Sequence, residues 1–195
     1  RQPAPHGPPA PPTRTTTIES FNVTSLHTHW RHLRRRRVDC FVLQEHSQPM
    51  GAGTRVGGSG CCACTLGGCG HDVCEALRAD KWHGIFSPLD PEKRAPTGGL
   101  ATITKLPRHV VLPHSGVPSF DALLDGGRAA LTGVDIGNHC VAELVNSYGW
   151  PNGETCPTSR ARTAGLVDGV LDCLEAKKNT LFAWCTDLNC LPASL

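Results

Sequence analysis

Aromatic residues are scarce in this chain, at 5% of its 195 residues, although a hydrophobic content of 39% suits a globular protein. No stretch approaches the roughly 18–20 consecutive apolar residues of a membrane-spanning helix, so no membrane partner is expected. A large excess of charge of either sign is also lacking. A formal net charge of +2 is too small to argue by itself for a polyanionic partner. The 21 Gly and 16 Pro stay below the level that marks a low-complexity chain. No internal repeat is present. Gly51 to Gly60 is followed by no Gly-Lys-[Ser/Thr], which excludes a phosphate-binding P-loop there. No signal peptide precedes the start. That start is Arg1 rather than Met, however, and the chain reads as a segment of a longer product.

Cysteine, by contrast, is abundant and odd in number, at 11. Without a secretion signal this points to a reducing, intracellular compartment and free thiols. Cys61, Cys62, Cys64, Cys69, His71 and Cys74 invite a zinc reading, but their spacings make no paired C-x₂-C set. They read instead as part of a Gly- and Cys-rich inserted loop at about residues 50–71. His27, His29, His32 and His46 read as surface residues rather than ligands.

The length accommodates one domain. Residues 1–14 are dominated by Pro and Ala and read as a disordered linker, leaving 15–195 as the domain. Its β-rich runs are Thr15 to Val23, Val38 to Leu43, Gly99 to Thr104, Arg128 to Ile136, Cys140 to Ser147 and Thr180 to Asp187. The second and last read as buried strands, being nearly all apolar. Leu26, Trp30 and Leu33 share one face of a short helix over 26–36, and a weak helix is expected over 72–80. The best helix spans Arg162 to Lys178, with Leu166, Val170 and Leu174 in a stripe that Val167 and Leu171 widen. Lys177 and Lys178 lie near its C-terminus, where the helix dipole favours cations. Strands outnumber helices, yet helices come between strands, which argues for stacked sheets with helices outside.

Asn22, Glu45, Tyr148, Asp187 and Asn189 fall at the ends of these strands. Carboxylates there, beside amide and phenol groups, suit a hard divalent cation and a phosphate. Mg²⁺ takes oxygen ligands, often only one or two carboxylates, and completes its shell with water and substrate oxygens. Taken singly, each residue has an ordinary explanation: Asn22 and Asn189 hold turns, and an isolated acid at a strand end is solvated.

Order and flanking sequence add to this. Ser20-Phe21-Asn22-Val23 resembles the opening strand of the endonuclease/exonuclease/phosphatase superfamily. Val42-Leu43-Gln44-Glu45 resembles its next strand, which ends in Gln-Glu. Thr97-Gly98-Gly99-Leu100-Ala101 is similar to its Gly-Gly strand start. Val145-Asn146-Ser147-Tyr148-Gly149 resembles the strand that delivers an active-site Tyr. Thr186-Asp187-Leu188-Asn189 resembles its Gly-Asp-x-Asn motif. The resemblance implies a four-layer α/β sandwich of two packed mixed sheets flanked by helices. It implies a Mg²⁺ (alternatively Mn²⁺) site with Glu45 as ligand and Asn22 beside it. Asp187 is then expected to orient or deprotonate the attacking water, Asn189 to hold the phosphate, and Tyr148 to donate to the phosphate or support the attacking group.

Two departures stand out. Thr186 replaces the family's usual Gly. The family's late Ser-Asp-His motif has no counterpart in the six residues after Asn189, so the fold is expected to be incomplete at its C-terminus and this chain to show no metal-dependent cleavage. The wording around Asn22, Glu45 and Tyr148 looks most like the endonuclease domains of non-LTR retroelement reverse transcriptases, implying DNA as partner and a nuclear location. The knot Arg34 to Arg37 reads as a contact to backbone phosphates or as a solvated helix end. The alternatives are a phosphatase acting on another phosphoester, a non-catalytic remnant or interaction module of the same fold, and a zinc-stabilised binding protein that leaves the ordered motifs unexplained. Oligomeric state is not legible.

Overall fold

The computed structural model describes residues 15–47, 73, 76, 77, 79–87, 99–106, 109–137 and 140–189. Its elements run β1 (Ile18–Asn22), α1 (Leu26–Leu33), β2 (Cys40–Gln44), β3 (His83–Phe86), β4 (Leu100–Thr104), β5 (His109–Val111), α2 (Pro118–Asp125), β6 (Ala129–Gly137), β7 (Cys140–Tyr148), α3 (Pro157–Ala176) and β8 (Leu181–Asp187). The expected linker and inserted loop, with its cysteine cluster, lie outside the described residues.

Alternation along β2 shows how the layers arise. Phe41 and Leu43 point to one face, Cys40 and Val42 to the other, and every residue of the strand is buried. The first face meets α1, whose Leu26, Trp30 and Leu33 are all buried as their spacing requires. Val73 and Leu77, helical in the expected 72–80 segment, join the same cluster. Trp82 fills its centre, stacked on Phe41 at 5.2 Å and edge-on to Trp30 at 5.6 Å.

The second face of β2 looks across to the other sheet, where Cys40, Val42 and Leu106 pack with Val134, Ala142 and Leu144. Beyond that sheet, Phe120 of α2 and Leu166, Val170 and Cys173 of α3 cover Ala129, Leu131 and Val145. Helices, sheet, sheet and helices make four layers. Each fully buried large side chain contributes about 1.5–3 kcal/mol.

The sheets have orders β1-β2-β4-β3 and β5-β6-β7-β8. Each is mixed. β1 runs parallel to β2 and β7 parallel to β8, whereas all other pairs are antiparallel. A parallel pair needs a crossover, and α1 and α3 supply them. The fold is thus the expected α/β sandwich of two packed mixed sheets with flanking helices.

Several local expectations need correction. The long helix starts at Pro157 rather than Arg162, because a proline fits the first turn, where its missing N–H has no partner to lose. Its buried stripe is Thr163, Leu166, Val170 and Cys173, while Leu171 is 49% exposed and does not widen it. Lys177 caps that helix and reaches Glu143 of β7 at 2.8 Å. β8 is only half-buried, because it lies at the edge of its sheet and pairs with β7 alone among the described residues. β3, β5 and α2 were not anticipated.

Candidate active site

Asn22, Gln44, Tyr148 and Asp187 are the last residues of β1, β2, β7 and β8. Register sets them side by side, Asn22 against Gln44 in one sheet and Tyr148 against Asp187 in the other. Two side-chain contacts then close the gap between the sheets. Asn22 Nδ2 donates to Asp187 Oδ2 at 2.7 Å, and the Tyr148 hydroxyl donates to Glu45 Oε1. Asn189 completes the group. Its backbone N–H donates to Asp187 Oδ1 at 3.0 Å, its side-chain Nδ2 donates to the Gly149 carbonyl at 3.2 Å, and its side chain also interacts with Tyr148. All five residues named from the sequence therefore meet at one end of the sandwich.

Backbone geometry fits this convergence. Glu45 and Asn189 both adopt left-handed φ values, 56° and 53°. Such a turn costs Glu45 about 1–2 kcal/mol, whereas asparagine adopts it readily, and at both positions it follows the strand so that the side chain leaves the regular alternation. Gly149 has no room for a side chain, because a Cβ would fall inside the Leu188 carbonyl. That close approach carries the 2.7 Å bond from Gly149 N–H to the Asp187 carbonyl.

A cleft of about 600 Å³ opens here, lined by Ser20, Asn22, Gln44, Glu154, Asp187 and Asn189 among others. Glu45 and Tyr148 stand beside it rather than in its lining. Burial first, and the bond to Glu45 second, raise the Tyr148 phenol well above its ordinary pKa. Tyr148 is therefore a neutral donor at working pH.

The donors suit a hard cation. Glu45 Oε2 takes no hydrogen bond from the described residues, and Asn22 Oδ1, which accepts from Thr24 N–H at 3.2 Å, retains a second lone pair. Neither thiol nor imidazole lines the cleft. These oxygens fit Mg²⁺ or Mn²⁺ better than a soft metal. No group of three or more His, Cys, Asp or Glu converges among the described residues; a site with one or two carboxylates does not need one.

His46 differs from expectation. It is fully buried, edge-on to Phe86 at 5.3 Å, and burial lowers its pKa to about 4. Gly99 makes this possible, since its φ of +84° and lack of Cβ leave space for the imidazole. His27, His29 and His32 are exposed as expected. Within the arginine knot, Arg34 pairs with Asp80 at 3.3 Å and Arg36 with Glu19, while Arg35 and Arg37 are exposed. Glu19 immediately precedes Ser20 and Phe21, both in the cleft lining, and the Arg36 guanidinium lies 5.1 Å from the centre of the Phe21 ring, so the knot borders one edge of the cleft.

Thr186 accepts a hydrogen bond from Ser147 at 2.8 Å, and Ser147 in turn accepts from Trp184 Nε1 at 2.9 Å. Its side chain is thus held within the sheet. Glu154 and Ser20 were not singled out from the sequence; Glu154 lies in a turn with no periodicity to mark it.

No protein-family model matches the chain, and no curated protein does. Solved structures do match. The AP endonuclease from Archaeoglobus fulgidus aligns with a TM-score of 0.58 at 15% identity, over 90% of this chain and 58% of that one. The catalytic domain of Xenopus laevis APE2 gives 0.54 at 15% identity, over 89% and 58%. The 3' phosphatase NExo from Neisseria, bound to a product DNA hairpin, gives 0.53 at 18% identity, over 90% and 58%. The chain spans about 58% of the length of each. Its architecture is that of the endonuclease/exonuclease/phosphatase fold, and these neighbours are members of that superfamily.

Proposed function

We propose that this chain carries the metal- and water-handling part of a divalent-metal-dependent phosphoesterase that cleaves nucleic-acid phosphodiesters. The observation that carries the reading is the pair of inter-sheet contacts, Asn22–Asp187 and Tyr148–Glu45, which gather residues from four strand ends around one cleft. Glu45 and Asn22 are the proposed ligands of Mg²⁺ or Mn²⁺. When bound, the ion polarises a phosphoryl oxygen and offsets charge on the leaving group. Asp187, fixed through both carboxylate oxygens by Asn22 and Asn189, orients the attacking water and accepts its proton. Tyr148 holds Glu45 in place and can turn its proton to a phosphate oxygen. Asn189 is the proposed amide donor to the phosphate.

DNA is the proposed substrate, supported by the retroelement-like wording around Asn22, Glu45 and Tyr148. The exposed Arg35 and Arg37 are available to a backbone leaving the cleft along β1. Mn²⁺ binding to the full chain is the decisive test, because it reads the proposed ligands directly. One Mn²⁺ that Glu45→Gln weakens by about tenfold or more supports the reading. No Mn²⁺ binding in the millimolar range, or binding indifferent to Glu45, favours the non-catalytic remnant. Metal-dependent nicking of supercoiled DNA, abolished by Asp187→Ala, would overturn the expected lack of turnover. Hydrolysis confined to phosphomonoesters would move the assignment to a phosphatase.

A further inference from the structure

Below the site lies a second polar layer that the proposed chemistry does not use. Gln44 and Asn146 face one another between the two sheets, 1% and 0% exposed. Gln44 Nε2 donates to Asn146 Oδ1 at 2.8 Å and to Ser20 Oγ at 3.3 Å. Asn146 Nδ2 donates to the backbone carbonyls of Leu43 at 3.0 Å and Ala101 at 3.3 Å. Asn146 of β7 is thereby tied directly to β2 and β4, and Gln44 extends the network to Ser20 of β1. Two apolar residues of matching volume would fill this space without fixing how far one sheet slides over the other; directed hydrogen bonds fix it.

The position of the bridge matters. Gln44 immediately precedes Glu45, and Asn146 is two residues before Tyr148 on the same face of β7. Strand backbone between bridge and site is short, so a slide at the bridge is transmitted to the Glu45–Tyr148 contact almost undiminished. We propose that Gln44 and Asn146 are a positioning pair, an inter-sheet amide bridge that sets the separation at which Tyr148 meets Glu45. The inference rests on the proposed metal role of Glu45 only for its effect on ion binding. Its effect on Tyr148 is independent of that role.

Tyr148 is the only tyrosine in the sequence, so the tyrosine Raman doublet, which reports whether a phenol donates strongly, reads the hydrogen bonding of this one hydroxyl, in which Glu45 is the acceptor. The full-length chain is compared with Gln44→Met, Asn146→Ser and Thr102→Val. Thr102 makes a separate inter-sheet contact, to Thr132 at 3.3 Å, and controls for loss of stability alone. The expected result is a doublet shifted towards a weaker donor in Gln44→Met and Asn146→Ser but unchanged in Thr102→Val. Mn²⁺ affinity is expected to fall about tenfold or more in the two bridge variants, as for loss of a group that holds a ligand. Either bridge variant suffices if the other does not fold. An unchanged doublet in a folded bridge variant, or an equal shift in Thr102→Val, overturns the positioning role. A shifted doublet in a chain that binds no Mn²⁺ leaves the bridge standing and removes the metal reading instead.

Discussion

Asn22 Nδ2 lies 2.7 Å from Asp187 Oδ2, joining the end of β1 to the end of β8 across 165 residues of chain. The donor is neutral and the acceptor a carboxylate, so the contact depends on Asn22 remaining an amide. Asn22→Asp would oppose two carboxylates, whereas Asn22→Ser merely shortens the donor. At neutral pH the Asp variant is expected to be less stable than the Ser variant by about 1 kcal/mol, a modest figure because the pair is exposed. Protonation of one carboxyl closes the gap in acid. Urea unfolding of both variants at the two pH values measures this, and equal stability at neutral pH would mean that the contact is not made in solution.

Tyr148 should make the protein sensitive to alkali. Its phenol is raised in the folded state by burial and by Glu45, so between the unfolded value of about 10 and the raised value the folded state holds more protons. Stability from this group is complete below about pH 10 and is lost as pH climbs through the folded pKa. With a single tyrosine in the chain, tyrosinate absorbance follows it directly. The absorbance is expected to rise together with unfolding, and a free titration near pH 10 in folded protein would contradict the buried contact.

His46 predicts the opposite limb. Its folded pKa of about 4 is below the usual 6.5, so in that window the unfolded chain binds the extra proton. Stability is complete above about pH 6.5 and declines towards pH 4, by about 3 kcal/mol from this group. His46→Leu should flatten that slope in pH-dependent denaturation.

Gly99→Ala should also destabilise the region, by about 2–4 kcal/mol. It forces a methyl into the His46 ring at a backbone angle that alanine resists. A melting temperature within error of the parent would show that the ring can move aside.

Along α3, Leu166→Ala is expected to cost about 2–5 kcal/mol, because Leu166 is fully buried under Phe120 and Val145. Leu171→Ala should stay within about 0.5 kcal/mol. Denaturant midpoints of the two single variants separate the buried face from the exposed one.

The same helix illustrates what was legible in the sequence. Leu166 and Val170 share a face in any reading of the pattern, but Leu171 could be assigned to either side until the sheet beneath was known. The start at Pro157 was written in the residue itself, yet the turn before it obscured the signal. Strand β2 was plain because Cys40, Phe41, Val42 and Leu43 run without a polar break, and β7 because it is nine residues long and rich in β-formers. β5 and β3 were not, since three or four residues with few apolar side chains carry too little pattern. The site residues were found through short motifs in order. Their meeting in space was beyond the sequence, because it depends on which strand ends face each other. His46 was misjudged for a related reason: only the left-handed turn at Glu45 and the space at Gly99 take an imidazole inside.

The separation between Asn22 and Asp187 bears on how the molecule is assembled as well as on what it holds. Closing a loop of that length carries an entropic cost of about 4–5 kcal/mol, and β8 can join β7 only after its crossover helix has been made. A chain emerging from the ribosome would therefore hold Asn22 and Glu45 long before their counterparts exist. The cleft is a late product of folding, absent from every nascent intermediate that has yet to make β8.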